Sequence, residues 1–202
     1  MTFVPGTWNR LLTKASIDSF LRIITGIHEV SLSRIDKPTF FLRRNWKKLE
    51  NLGKKVMVIR EYARSCPFPV HEGTTIEAQK WIMQNQIEKE NEVDHSDKIL
   101  ITDRATVDNF AYLHRIADEK TSKEYEDIAF NHGKTYNFIF KTHKLDIAAK
   151  DDGFRTTDDD FRNLIDNLIN QFLEKNQVEF IPLQATTDYD VHVSDILERI
   201  NN

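Results

Sequence analysis

The sequence predicts an α/β fold: a doubly wound, five-stranded parallel sheet with helices on both faces, in three layers (α/β/α). Two observations carry this expectation. Short apolar runs alternate along the chain with segments of helical periodicity, the pattern of parallel strands joined by crossover helices. The 202 residues, 40% apolar and 30% charged, are enough for one domain with a substantial core.

The elements follow in order. Leu21–Thr25 is a short apolar run and reads as the first strand. Phe41, Leu42, Asn45, Trp46, Leu49 and Leu52 have helical spacing, and Gly53 suits the position just past a helix end. Pro38 fits only in the first turn of that helix or just before it. Lys55–Ile59 is the second strand, and Arg60 to Gly73, with Pro67 and Pro69, is irregular. Thr74-Thr75-Ile76-Glu77 reads as a capping box opening a long polar helix to about Glu92. Lys98–Thr102 is the third strand; Val107, Phe110, Ala111, Leu113 and Ile116 mark the next helix, and Thr121–Glu124 caps a shorter one. Tyr136–Phe140 is the fourth strand, and a charged loop runs from Lys141 to Thr157. Phe161, Leu164, Ile165, Leu168, Ile169, Phe172 and Leu173 form an amphipathic helix. Val178–Leu183 is the fifth strand, and Val193, Ile196, Leu197 and Ile200 close the chain as a helix.

Directly after the first strand, Gly26-Ile27-His28-Glu29-Val30-Ser31-Leu32-Ser33 has the spacing of a phosphate-binding loop, G-x-x-x-x-G-K-[ST]. In such a loop backbone N–H groups cradle phosphates, the Lys reaches the β/γ-phosphates and the hydroxyl holds Mg²⁺. Gly26 and Ser33 keep the outer positions; Ser31 replaces the second Gly and Leu32 the Lys. A displaced loop at Lys37-Pro38-Thr39 is rejected, because no Gly precedes it and Pro38 lacks an N–H for a phosphate.

Ligands of doubly wound sheets gather at the carboxyl ends of the strands, which selects the remaining candidates. Asp103 ends the third strand and reads either as a metal organiser or general base, or as the N-cap of the next helix; Arg104 follows it. Glu61 and Arg64, after the second strand, read as contacts to an acceptor substrate or as a structural ion pair. Arg155 follows a Gly in the long loop and reads as a lid arginine that closes on transferring phosphates, or as a solvated charge. Lys141, Lys144 and Arg162 read as solvated.

Other classes find little support. Lys and Arg number 28 against 32 Asp and Glu, a net charge of −4, so nothing in the charge favours nucleic acid. No apolar run approaches a membrane span, and the first twenty residues do not read as a signal peptide. The one cysteine, Cys66, has no partner for an internal disulfide or for a CxxC motif, and a reducing cytoplasmic setting is expected. The histidines do not have metal-ligand spacing, and no G-x-S-x-G elbow is present.

The run Val58-Ile59-Arg60-Glu61-Tyr62-Ala63-Arg64-Ser65-Cys66-Pro67-Phe68-Pro69, then Thr74-Thr75-Ile76-Glu77-Ala78-Gln79-Lys80-Trp81-Ile82, resembles the AAA-type ATP-binding domains related to nicotinamide riboside kinase. So do Ile101-Thr102-Asp103-Arg104-Ala105-Thr106-Val107-Asp108-Asn109-Phe110-Ala111-Tyr112 and Asp152-Gly153-Phe154-Arg155. The likeness covers about Leu21 to Leu183 and is specific from Val56 onward. The glutamate after strand two and the Asp-Arg after strand three are more distantly similar to thymidylate and deoxynucleoside kinases. The resemblance implies a P-loop NTPase core over 1–202, with 1–20 as an extension and 141–157 as a lid-like loop. It implies ATP and Mg²⁺ as cofactors and a small-molecule acceptor. Gly26, His28, Ser31, Leu32 and Ser33 would then flank the nucleotide, with Ser33 and Asp103 toward the metal. Glu61 and Arg64 would face the acceptor, Asp103 and Arg104 would serve metal or acceptor, and Arg155 would belong to the lid. Family members carry the intact loop, so the chain reads either as a small-molecule kinase or as a catalytically impaired relative that binds nucleotide weakly or acts as an interaction module. A further possibility is that the stretch before Gly53 is not the natural sequence of the family member.

Overall fold

Five strands, β1 (Leu21–Gly26), β2 (Lys55–Ile59), β3 (Lys98–Asp103), β4 (Phe138–Lys141) and β5 (Ile181–Pro182), form one sheet in the order β2-β3-β1-β4-β5. Every neighbouring pair is parallel. The computed structural model describes residues 21–26, 47, 49–93, 98–142, 158–186 and 188–201. The helices among them are α1 (Ile76–Glu92), α2 (Thr106–His114), α3 (Glu119–Gly133), α4 (Asp159–Lys175) and α5 (Tyr189–Asn201). Helical residues 49–51 precede β2.

The strand order dictates the layers. The steps β2→β3, β3→β4 and β4→β5 all run in one direction across the sheet, and β1→β2 runs in the other. Right-handed crossovers put oppositely directed steps on opposite faces. The cores agree: Val56, Val58, Ile99, Ile101, Phe138 and Phe140 pack with Leu49 and with Ile196 and Ile200 of α5. Their neighbours in the strands turn the other way, Leu100 toward Ile59 and Val93, and Ile139 toward the cluster of Phe110, Ile165, Ile169 and Phe172. Helices therefore cover both faces, as expected. β1 lies between β3 and β4, and the connections of both leave by the face that its own does not use.

The ladder levels the carboxyl ends of the strands. Ile59 lies opposite Thr102, Thr25 opposite Asp103, and Gly26 opposite Lys141. Gly53, at φ +76, ends the helical turn before β2, with its N–H bonded to the Glu50 carbonyl at 2.9 Å. Only a residue tolerant of left-handed backbone closes a helix this way without strain.

Several sequence expectations are corrected. The N-cap of α1 is Thr75, whose Oγ1 accepts the Ala78 N–H, whereas Thr74 accepts Gln79 Nε2 at 2.7 Å. Helix α3 starts earlier than Thr121 and is longer than α2, because Asp118 caps it by accepting the Thr121 N–H at 2.8 Å. β4 begins at Phe138; Tyr136 instead closes a turn onto the Gly133 carbonyl and is buried in the helical cluster. β5 shortens to two residues at the sheet edge, where Pro182 has no N–H to extend a ladder. Lys141 and Arg162 are buried, because each finds a carboxylate: Asp166 at 2.8 Å and Asp159 at 2.8 Å.

Candidate functional site

At the carboxyl end of β3 the backbone turns sharply. Arg104 has φ +98, a left-handed conformation that a side-chain-bearing residue adopts only when its surroundings hold it. Its guanidinium lies 3.3 Å from Glu61, just past β2, and 3.7 Å from Asp108 in the first turn of α2. It also stands over the ring of Tyr112, 5.9 Å from the centroid. Residues 104, 108 and 112 recur every fourth position, so α2 presents Asp108 and Tyr112 to the arginine on one face. Asp108 Oδ2 accepts the Ala105 N–H at 2.8 Å, which makes Ala105 the N-cap and overturns the cap reading of Asp103.

The electrostatics are those of a tight, half-dry cluster. Burial works against the charged guanidinium of Arg104, but the carboxylates of Glu61, Asp108 and Asp103 outweigh it and raise its pKa, so the cation is permanent. Burial pushes the Asp108 carboxyl up, with Arg104 pulling the other way. Burial also raises the Tyr112 phenol, which stays protonated and able to donate.

A shallow cleft, open to solvent on one side, lies against this cluster. Its polar wall is Glu61, Arg104, Asn109, Tyr112 and Gln79, and its apolar wall is Ala63, Val70 and Ile82. The two amides are fixed: Gln79 donates to Thr74, and Asn109 donates to Gln86 Oε1 at 2.6 Å. A carboxylate that accepts, a guanidinium and phenol that donate, and an aliphatic floor suit a small molecule with hydroxyl groups and a flat, less polar part.

The structure thus brings Glu61 and Arg104 together and sets Asp103, half-buried at the end of β3, beside them in sequence and level with Thr25. Arg64 sits exposed on the 3-10 turn Tyr62–Ser65 and is not part of the cleft wall. Gly26 ends β1 at the same edge. His28, Ser31, Leu32, Ser33 and Arg155 lie outside the described residues. Sequence reasoning missed Gln79, Asp108, Asn109 and Tyr112; the four-residue spacing from Arg104 was the available signal for Asp108 and Tyr112. Among the described residues no group of three or more His, Cys, Asp or Glu could hold a metal, and no helix is long and apolar enough to cross a membrane.

A family profile described as an AAA domain matches residues 44–190, a span that begins after the loop 26–33. No protein of curated function matches the chain in sequence. Among solved structures, a NadR protein in complex with NR aligns with a TM-score of 0.64 at 14% identity, over 91% of this chain and 52% of that one. A NadR complex with NAD and AMP-PNP aligns at 0.62 and 10% identity, over 90% and 50%. Thymidylate kinase from Ehrlichia chaffeensis aligns at 0.53 and 14% identity, over 90% and 99%. The chain therefore spans about half the length of the NadR chains it matches, and the likeness is one of fold.

Proposed function

Starting from the chain's membership of the AAA domain family, shown by a profile match over 44–190, we propose that it is a nucleotide-binding protein of the small-molecule kinase type. Its cleft holds a nucleoside-like hydroxyl acceptor. The observation that carries this reading is the Glu61–Arg104 pair on the wall of a cleft at the carboxyl edge of the sheet, where doubly wound folds bind ligands. One fold neighbour was solved with NR and another with NAD and AMP-PNP, ligands of the classes such an arrangement takes.

In the proposed reaction an acceptor hydroxyl in the cleft attacks the γ-phosphorus of ATP. An O–P bond forms to the acceptor, the bond to the bridging oxygen breaks, and ADP leaves. Glu61 accepts the hydrogen bond of the attacking hydroxyl, orients it and takes its proton as the O–P bond forms, with Arg64 at the outer rim. Arg104 keeps the Glu61 carboxylate in place and donates to the acceptor. Gly26, His28, Ser31, Leu32 and Ser33 would flank the phosphates, and Arg155 would close on them. Asp103 fits Mg²⁺, since it is a half-buried carboxylate at the strand edge level with β1, and Mg²⁺ takes only one or two carboxylates besides water and phosphate. With Ser33 it would hold the ion, which supplies neutralisation of phosphate charge.

Ser31 and Leu32 favour a second reading, a catalytically impaired relative that binds nucleotide weakly or serves as an interaction module. Loss of the Lys removes a charge-assisted phosphate contact of about 1.5–3 kcal/mol. Titration calorimetry with Mg-ATP, followed by a phosphate-transfer screen over nucleosides, separates the two. Binding with turnover supports the kinase, and binding without turnover supports the impaired relative. Changing Ser31→Gly together with Leu32→Lys is expected to raise ATP affinity by about tenfold or more; an unchanged affinity would remove the loop from the nucleotide site.

A further inference from the structure

The unusual backbone of Arg104 has a specific partner. Its carbonyl accepts Gln86 Nε2, from α1, at 2.7 Å. The same nitrogen gives its second proton to Glu90 Oε1 at 2.9 Å, and Gln86 Oε1 accepts Asn109 Nδ2 at 2.6 Å. Gln86 thus uses both N–H groups and its oxygen, while only 3% exposed. The Glu90 carboxylate and the Arg104 carbonyl offer acceptors alone, so together they demand the NH₂ end of the amide and fix which way round it sits. Glu90 is itself fully buried, with Oε2 2.7 Å from His132 Nε2 and Oε1 3.4 Å from the Tyr136 hydroxyl. The line His132–Glu90–Gln86 therefore runs from α3 through α1 to the turn that carries Arg104.

We propose that Gln86, oriented by Glu90 and His132, is a positioning residue that clamps the Arg104 carbonyl, holds that backbone left-handed and keeps the guanidinium on the cleft wall against Glu61. The turn is held by what grips it, because the conformation at φ +98 is one that Arg does not choose unaided. For its consequence in acceptor binding the clamp rests on the reading of the cleft given above; as geometry it needs no ligand.

The test is made on the ligand-free protein by NMR, following solvent exchange of the Arg104 guanidinium protons, assigned through Arg104→Lys. Gln86→Met removes the amide at similar length, and Glu90→Gln leaves Gln86 in place but replaces one of its two acceptors by a group that can also donate. Exchange at Arg104 is expected to quicken by about tenfold or more in Gln86→Met, and by less in Glu90→Gln, while β3 backbone amides stay protected. A residue that merely ties α1 to α2 would lower the melting temperature and leave Arg104 exchange at the wild-type rate, and that result overturns the clamp. Should Gln86→Met not fold, Gln86→Leu decides, and wild-type exchange there overturns the clamp too. No nucleotide or nucleoside is present, so a failure of acceptor binding would not be mistaken for a failure of the clamp.

Discussion

Arg104 concentrates the tension between stability and site geometry in a single residue. A left-handed non-glycine backbone costs about 1–3 kcal/mol, and the side chain it aims is paired with two carboxylates at 17% exposure or less. Truncation by Arg104→Ala leaves Glu61 and Asp108 facing each other's charge without a cation, and is expected to cost about 2–3 kcal/mol in urea unfolding. Glu61→Gln alone should cost less, and the double variant should lose less than the sum, because both changes break the same contact. Additive losses would mean that the pair is not coupled in solution. Little of this was legible at the residue level in the sequence. Asp103 and Arg104 stood out as strand-end charges, but the φ of Arg104 and the partner on its carbonyl are set by a glutamine eighteen positions earlier, on another element. Lys141 misled for the same reason, since its partner Asp166 lies twenty-five positions on.

Periodicity read most elements correctly and failed where the inward face is polar. Helix α1 reads as a long polar helix, and it buries Gln79, Gln86 and Glu90 alongside Ile82 and Met83. An inward stripe of amides and a carboxylate looks like solvent-facing surface to any hydrophobicity pattern, although its partners make it part of the core. The caps of α1 and α3 were legible in kind and off by one and three residues, since Thr and Asp lie close together at each start, whereas that of α2 is Ala105. Thr75→Ala, removing the acceptor for the Ala78 N–H, is expected to cost about 1 kcal/mol in urea unfolding; a loss that appears instead in Thr74→Ala alone would move the cap. Between α3 and α4, Glu126 accepts from Lys175 and Asn176. Burial pushes its carboxyl up, but those two donors and the lysine charge outweigh it and hold it below the ordinary 4.5. A depressed carboxyl stabilises the fold above its unfolded value and loses that contribution as pH falls through its folded value. The stability gap between wild type and Glu126→Gln, about 1 kcal/mol near neutrality, should therefore narrow as the pH drops below about 4.5, read as melting temperature against pH. A gap that holds constant in acid would contradict the ion pair.

At the level of the whole molecule, β3 joins both cores. Ile99 and Ile101 face one and Leu100 the other, and β3 lies between β2 and β1 in the sheet. Leu100→Ala is expected to cost about 2–5 kcal/mol and to lower the melting of both faces in one transition; two separated transitions would mean that the layers unfold independently. The alternation of strands and helices made this architecture legible, because a parallel sheet covered on both faces needs apolar strands and crossover helices in that order. The loop 26–33, which has the spacing of a phosphate-binding loop, supplies the fold with Gly26 at the end of β1, and its remaining residues lie outside the described ones. The weight of the functional reading falls instead on the cleft. Calorimetric titration of nucleosides into the wild-type protein and into Glu61→Gln, both in Mg-ATP, tests that reading most directly. The expected result is acceptor binding to the wild type that weakens by about tenfold or more in Glu61→Gln, and equal affinity in the two proteins, or no nucleoside bound by either, would contradict it.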